Sequence, residues 1–389
     1  MGDITYLDHA ATTPVDDEVL EAMLPFMREK YGSASTLYSI GREAKEAVEA
    51  AREKVAALIG SRPDEVYFTG GGSESDNWAI AGVAAAKAGK GNHIITCAIE
   101  HHAVLEPCHA LEKQGWNVTV LGVDSDGLVD VDELAAAVTH QTVLITIMHA
   151  NNEIGTIQPV EDIGRIAKDR KIHFHTDTVQ TVGHIPVDVE SIGCDSLAIS
   201  AHKLYGPKGV GAMYIRKGAR VEKLIRGGGQ ENNKRAGTHN VAGIVGLGKA
   251  AELAMERMDS EAVNTTKLRD ALIAGIRQRI PDVRLNGHPT RRLPNNVNFS
   301  FDGVEGESMI LLMDMQGICV SSGSACTSGS LDPSHVLMAL GLKHEQAHGS
   351  LRMSLGKDNT TADVEKVLDT LPGIVSRLRE MSPIYAANR

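Results

Sequence analysis

Residues 196–211 read S-L-A-I-S-A-H-K-L-Y-G-P-K-G-V-G. The first part predicts a short apolar strand over 197–200, followed by a polar turn carrying His202 and Lys203. The Gly/Pro-rich run beyond it cannot continue as a helix. A lysine just past a buried strand sits where desolvation lowers its pKa, and a neutral lysine amine can form a Schiff base with an aldehyde. Taken alone, A-H-K is more often a solvated loop. Other stretches of the chain change that reading.

Upstream, strands are expected at 66–69, 93–98, 117–121, 143–148 and 172–176, and downstream at 211–216. Ala44, Ala47, Val48, Ala51, Val55 and Leu58 recur at helical spacing within a helical region at 16–59. Helical stretches also separate most of the strands, notably 160–169. This alternation predicts an α/β fold with a mostly parallel sheet covered on both faces. Strand 66–69 runs into Gly70, Gly71, Gly72 and Ser73, then a helix through about residue 88. That is a strand, a glycine turn and a helix N-terminus, which suits an anion. It is not a Walker loop, because no Gly-Lys-Ser/Thr follows. It is a poor dinucleotide fingerprint, because Ser75 stands where a third glycine would be. Ser73 with Asp76 fits a capping box.

The glycine loop, His101, Asn152, Asp177 and Lys203 each follow the carboxyl end of an expected strand. Ligands of open α/β sheets bind at that edge. Individually these groups have plainer readings. Asp177 alone suits a turn, Arg352 alone a structural ion pair, and His149 and His175 packed or hydrogen-bonded positions.

Downstream, 227–240 is a polar, Gly-rich loop, followed by helical tracts to about 258 and over 265–280. The pattern then changes. Strands are expected at 296–301, 317–321 and 350–355, with helices at 305–315 and 361–379. A chain of 389 residues exceeds what one core usually spans. We therefore expect a large domain at 15–259 and a smaller α+β domain from 1–14 and 260–389, with a cysteine loop at about 321–332.

The formal net charge of −11 argues against nucleic acid as the main partner. No apolar run approaches the roughly 20 residues that span a bilayer. The start, M-G-D-I-T-Y-L-D-H-A-A-T-T-P, lacks a signal pattern, so a cytoplasmic location is expected. Five cysteines without a secretory signal suggest reduced thiols. Cys97, Cys108, Cys194 and Cys319 lie in or beside apolar runs and read as core. Cys97, His101, His102, Cys108 and His109 match no common zinc spacing.

As one site, the edge groups supply an amine (Lys203), a carboxylate (Asp177) and anion contacts (Gly70–Ser73, Ser200, His202). They also supply a flat ring (His101) and neutral hydrogen bonds (Asn152, Gln180). Pyridoxal phosphate, with an aldehyde, a phosphate and a basic ring nitrogen, would use them all. The chain resembles the NifS/IscS family of cysteine desulfurases, within the fold-type I pyridoxal-phosphate enzymes. The likeness rests on Y-L-D-H-A-A-T-T-P near the start, T-G-G-G-S-E-S-D-N at 69–77, E-H-H-A at 100–103 and M-H-A-N-N-E-I-G at 148–155. It continues in D-T-V-Q at 177–180, S-A-H-K-L-Y-G-P-K-G at 200–209, R-A-G-T at 235–238 and S-S-G-S-A-C-T-S at 321–328.

The resemblance implies that Lys203 holds the cofactor covalently and His101 stacks on its ring. It implies Asp177 at the pyridine nitrogen, and Gln180 and Asn152 on the phenolic oxygen side. Gly72, Ser73, Ser200 and His202 would hold the phosphate, joined by Thr238 from the other subunit of a homodimer. Arg352 would clamp the substrate carboxylate, with Asn152 nearby. Cys326 would be the nucleophile that receives sulfur from L-cysteine, leaving alanine and a persulfide. The persulfide would pass to acceptors such as an IscU-type iron–sulfur scaffold, with Cys326 a transient [2Fe-2S] ligand, or toward tRNA thiolation. Three departures stand out: Gly72-Ser73 in place of Ala-Thr, Thr178 in place of alanine, and 31–35 in place of a Gly-Asn-Pro pattern. The alternatives are a selenocysteine lyase, an aminotransferase, which would not need Cys326, and a non-catalytic assembly scaffold.

Overall fold

The computed structural model describes residues 4–322, 332–382 and 385. The chain lays down strands β1 (Thr5–Tyr6), β2 (Val66–Thr69), β3 (His93–Cys97), β4 (Asn117–Leu121), β5 (Thr142–Thr146) and β6 (His173–Asp177). It continues with β7 (Ser196–Ser200), β8 (Gly211–Ile215), β9 (Val283–Leu285), β10 (Asn296–Phe301), β11 (Ile318–Cys319) and β12 (Ser350–Ser354).

Seven of these form one sheet in the order β2-β8-β7-β6-β5-β3-β4. Its five neighbours β7, β6, β5, β3 and β4 are mutually parallel, and β8 runs against both β7 and β2. Every residue of β2, β3, β5, β6, β7 and β8 is buried. That is the pattern of strands covered on both faces, and it explains why they read as near-continuous apolar runs.

The register brings the useful ends together. β8 pairs Gly211 with both Ser200 and Thr69, so β2 ends on the same edge as β7. The parallel strands β3, β5 and β6 end there too. Gly211 is obligatory at this meeting point. A Cβ on it would lie 2.4 Å from the Ile199 carbonyl oxygen and 2.7 Å from Gly71 Cα.

A three-stranded antiparallel sheet, β12-β10-β9, builds a second core. Phe299, Phe301, Leu351 and Met353 pack there with Leu368, Leu371 and Val375 of the helix Thr361–Met381. The start of the chain joins this core. β1 pairs in parallel with β11, and Leu7 is fully buried.

Three expectations need correction. The helical region at 16–59 is two helices, Asp17–Arg28 and Ser39–Leu58. The two tracts after residue 240 are one helix, Val241–Arg279, of 39 residues and about 58 Å. Its first half buries Ile244, Leu247 and Ala251 in the large core, and its second half buries Leu268, Leu272 and Ile276 in the other. The polar mid-section has no core to face, and so looks like a break. Ser73 and Asp76 make no capping box: the N-cap is Gly71, without a side-chain bond, and Asp76 is buried. In addition, Val336, Leu337, Leu340 and Leu342 pack on the first core although they lie far beyond residue 260. No described helix is long and apolar enough to cross a membrane.

Candidate active site

A cavity of about 730 Å³ opens at the shared strand edge. Its walls include Gly72, Ser73, Ser200, His202 and Lys203 on one side of the fold's edge, and His101, Asn152, Asp177, Gln180 and Arg352 around them. Thr238 is exposed and does not line this cavity. Cys326 lies outside the described residues.

Lys203 closes a single 3-10 turn, Ala201–Lys203, directly after β7. The turn swings its side chain back to the N-terminal segment. Nζ donates to the carbonyl oxygens of Ala10 at 2.5 Å and Ala11 at 2.7 Å. His184 Nε2 lies 2.8 Å from the Lys203 carbonyl oxygen and fixes the backbone. Gln180 Nε2 also donates to Ala10, at 3.0 Å. The amine and the amide therefore share one anchor.

The glycine turn gives the anion end. Gly71 has φ 149 and ψ −177, a conformation essentially confined to glycine. A Cβ there would sit 3.8 Å from Ser200 Oγ and enter the cavity that both residues line. The helix Gly72–Lys87 then starts with its amides toward this end, as helix geometry requires. Glu74 is already used: it accepts the Gly70 amide at 2.7 Å and pairs with Arg235 at 2.8 Å. His202 Nδ1 lies 3.1 Å from Thr12 Oγ1. Burial pushes His202 down to about 4, with Lys203 and Lys208 adding to it, so near neutral pH it is a hydrogen-bonding group without charge. Lys208 lines the cavity and supplies the positive charge His202 lacks.

Asp177 ends β6. Burial raises its carboxyl, Asp76 raises it further, and His101 opposes both. Its Oδ1 accepts the Val179 amide at 2.9 Å. His101 caps the helix His102–Glu112, and its Nδ1 accepts the Ala103 amide at 3.1 Å. In the neutral ring that leaves the proton on Nε2. Burial lowers the His101 pKa, with Asp177 opposing.

Arg352 sits on β12 with a side chain 2% exposed. Nη2 donates to Asp8 Oδ1 at 2.9 Å and Nη1 to the Asn152 carbonyl oxygen at 3.0 Å. Asn151 shapes the turn that presents Asn152. Its Nδ2 donates to Ile99 at 2.7 Å, and its Oδ1 accepts the Glu153 and Ile154 amides.

Several cavity residues were not read as site residues from sequence: Thr12, Lys208, Glu153 and His335 were passed over, and Asp76 was read only as a capping partner. Ser334 Oγ donates to the buried Glu153 at 2.5 Å. Burial pushes the Glu153 carboxyl up to about 7, with Ser334 and Arg352 opposing. Thr12, Asp76, Glu153 and Lys208 all stand inside motifs quoted above, which was their available signal. His335 had none. Among the described residues no cluster of His, Cys, Asp and Glu could hold a metal ion.

Pyridoxal phosphate fits what is present. A buried carboxyl lacking a strong cationic partner would gain one from a protonated pyridine nitrogen. A side-chain-free cradle at Gly71 would suit a phosphate, and an anchored lysine amine would suit an aldehyde.

Residues 5–367 match the aminotransferase class-V family. A cysteine desulfurase IscS of Dictyoglomus turgidum is 58% identical over 378 residues, covering 97% of this chain and 96% of that protein. A solved NifS-like protein superposes with a TM-score of 0.91 at 42% identity, covering 96% of this chain and 100% of that one. A solved complex of SspA with cysteine has a TM-score of 0.81 at 37% identity, covering 92% and 100%. The chain therefore belongs to the aminotransferase class-V family, in its cysteine desulfurase branch of pyridoxal-phosphate-dependent enzymes.

Proposed function

We propose that this enzyme takes sulfur from L-cysteine with Lys203, His101 and Cys326 as its catalytic residues. The observation that carries this reading is the convergence of an anchored amine, a buried carboxylate, a glycine cradle and a buried guanidinium on one cavity. Gly72, Ser73, Ser200 and His202 hold the phosphate of the cofactor, and Asp177 meets its ring nitrogen. Gln180 and Asn152 bond the phenolic oxygen side. When bound, pyridoxal phosphate supplies an electron sink for the bond changes at the substrate Cα and Cβ.

The chain's own residues do the rest. Arg352 binds and orients the substrate carboxylate, with Asn152 beside it. The Lys203 amine takes the substrate Cα proton. His101, with its proton on Nε2, stacks over the ring and moves protons at the substrate. The Cys326 thiolate attacks the substrate sulfur. A new S–S bond forms, the substrate C–S bond breaks, and its electron pair stays with the carbon skeleton, which takes up protons and leaves as alanine. The burial of Asp177 and Arg352 keeps water from competing for these charges.

The persulfide then passes to acceptors, among them an IscU-type scaffold, for iron–sulfur cluster assembly and other sulfur-containing cofactors. Cys326 shares a transient [2Fe-2S] ligand role with that scaffold. The working unit is a cytoplasmic homodimer. The exposed position of Thr238 supports a role at the phosphate of the other subunit. Apart from Val336, Leu337, Leu340, Leu342 and Ala347, which pack on the first core, the membership of the two cores supports a large unit at 15–259 and a small one from 1–14 and 260–389.

The test is product analysis with L-cysteine and a reductant. Equal alanine and sulfide from the wild type, and none from Cys326→Ser with its cofactor absorbance intact, is the expected result. Full sulfide release from Cys326→Ser removes Cys326 from its role.

A further inference from the structure

Three buried acids lie at or behind the cavity wall: Asp76 and Asp177, which line it, and Glu100, whose proton affinity both of them raise, as Asp76 also does for Asp177. Their surroundings differ. Asp177 has the Val179 amide at 2.9 Å and His101 as a neighbour. Glu100 accepts the Met148 amide at 2.7 Å and the Cys97 thiol at 3.1 Å, while its Oε2 is buried with no hydrogen-bond partner among the described residues. Asp76 has no lysine or arginine against it among the described residues. Its Oδ1 lies 3.1 Å from His175 Nε2.

That contact heads a chain. His175 Nδ1 is 3.0 Å from Ser196 Oγ, and the same Oγ is 2.8 Å from His173 Nε2. All four residues are buried. The direction of the hydrogens along such a chain is set by its members. Burial holds His175 down at about 4, so its ring is neutral near pH 7 and carries one proton, on Nδ1 or on Nε2. Nδ1 is the nitrogen facing Ser196. With the proton there, Nε2 is an acceptor. Asp76 selects between the two arrangements: wholly buried, with other acids nearby and no Lys or Arg against it among the described residues, its carboxyl is held in the neutral form, and a neutral carboxyl donates into Nε2.

We propose that Asp76 is a positioning residue that works as a neutral acid, donating its carboxyl proton to His175 Nε2 and directing the chain Asp76→His175→Ser196→His173. Asp177 is thereby left as the anionic carboxylate at the cofactor ring nitrogen. A second anion at Asp76 would compete with Asp177 for that one cation, and a neutral Asp76 does not. The inference rests on the reading of the cavity as a pyridoxal-phosphate site.

The test uses the full-length protein, with and without pyridoxal phosphate. Infrared difference spectra of wild type against Asp76→Asn near neutral pH should show one protonated-carboxyl C=O band lost in the variant. The asparagine amide also donates to His175 Nε2. This variant should therefore keep the cofactor Kd within about twofold and the pH midpoint of the cofactor's visible absorbance within about 0.3 of a pH unit. Asp76→Leu, which cannot donate, should weaken cofactor binding by about tenfold. The proposal is overturned if no carboxyl band is lost in Asp76→Asn, or if its midpoint moves by a full pH unit, since Asp76 is then an anion. Unchanged cofactor binding in Asp76→Leu would also overturn it. A wild type that takes up no pyridoxal phosphate defeats the cofactor reading instead, and the infrared band of the cofactor-free protein still reports the state of Asp76.

Discussion

Arg352 Nη2 meets Asp8 Oδ1 at 2.9 Å, so a carboxylate of the chain itself holds one corner of the guanidinium that lines the cavity. Nη1 is taken by the Asn152 carbonyl oxygen, and Nε is buried with no hydrogen-bond partner among the described residues. The fork is thus fixed in direction but keeps donor capacity for a second carboxylate. Lysine cannot reproduce a fork held at two corners. Arg352→Lys should raise KM for L-cysteine by about 30-fold, corresponding to about 2 kcal/mol, with a smaller change in kcat. Steady-state alanine formation against cysteine concentration reads this out. An unchanged KM would remove Arg352 from substrate recognition.

Lys203 spans the gap between β7 and the N-terminal segment through the Ala10 and Ala11 carbonyls. Replacing it removes the amine that would bond the cofactor and take the Cα proton. Lys203→Ala should still bind pyridoxal phosphate through its phosphate and ring contacts. Its visible absorbance should shift to that of the free aldehyde, and turnover should fall by about 10³-fold. A variant with unaltered absorbance would exclude Lys203 as the covalent attachment.

Sequence reading recovered the sheet and the placement of the strand-end groups because burial on both faces leaves compact apolar runs, and a polar or charged residue after each run stands out. Asp177 after F-H-T and Lys203 after A-I-S-A-H are cases of this kind. It failed where the deciding partner is remote or the element is too short for a pattern. Asp76 looked like a capping partner for Ser73. Its true partner, His175, is 99 residues away on another strand. β1 has two residues and β9 three, below any periodicity. The helix Val241–Arg279 looked broken because its middle touches neither core. Glu231 looked like an ordinary loop acid, although it is buried at a positive φ of 47°.

Gly71 tests the cradle. Its φ of 149° costs any other residue on the order of 1–3 kcal/mol of backbone strain. Gly71→Ala should therefore lower the affinity for pyridoxal phosphate by about tenfold while leaving the fold intact, measured by equilibrium dialysis alongside far-UV circular dichroism. Undiminished affinity would show that the turn does not hold the phosphate.

Glu231 anchors the 227–240 loop, and its charge should be visible in acid stability. Arg52 donates to both carboxylate oxygens at 2.7 and 2.9 Å, His239 Nε2 lies at 2.6 Å, and the Phe68 amide donates at 2.8 Å. Burial pushes this carboxyl up, but these partners outweigh it and hold it at about 2. A carboxyl held below its unfolded value stabilises the fold fully above about pH 4.5 and loses that contribution as pH falls toward 2. The shift corresponds to about 3 kcal/mol. Glu231→Gln leaves the buried Arg52 with only the half-exposed Glu49 as a carboxylate partner, and should cost about 2–3 kcal/mol near neutral pH. Because the variant has nothing left to titrate at that site, its stability should fall less steeply between pH 4.5 and 2 than that of the wild type. Denaturant unfolding across that range measures both. Parallel pH profiles would show that the pair contributes no pH-dependent stability.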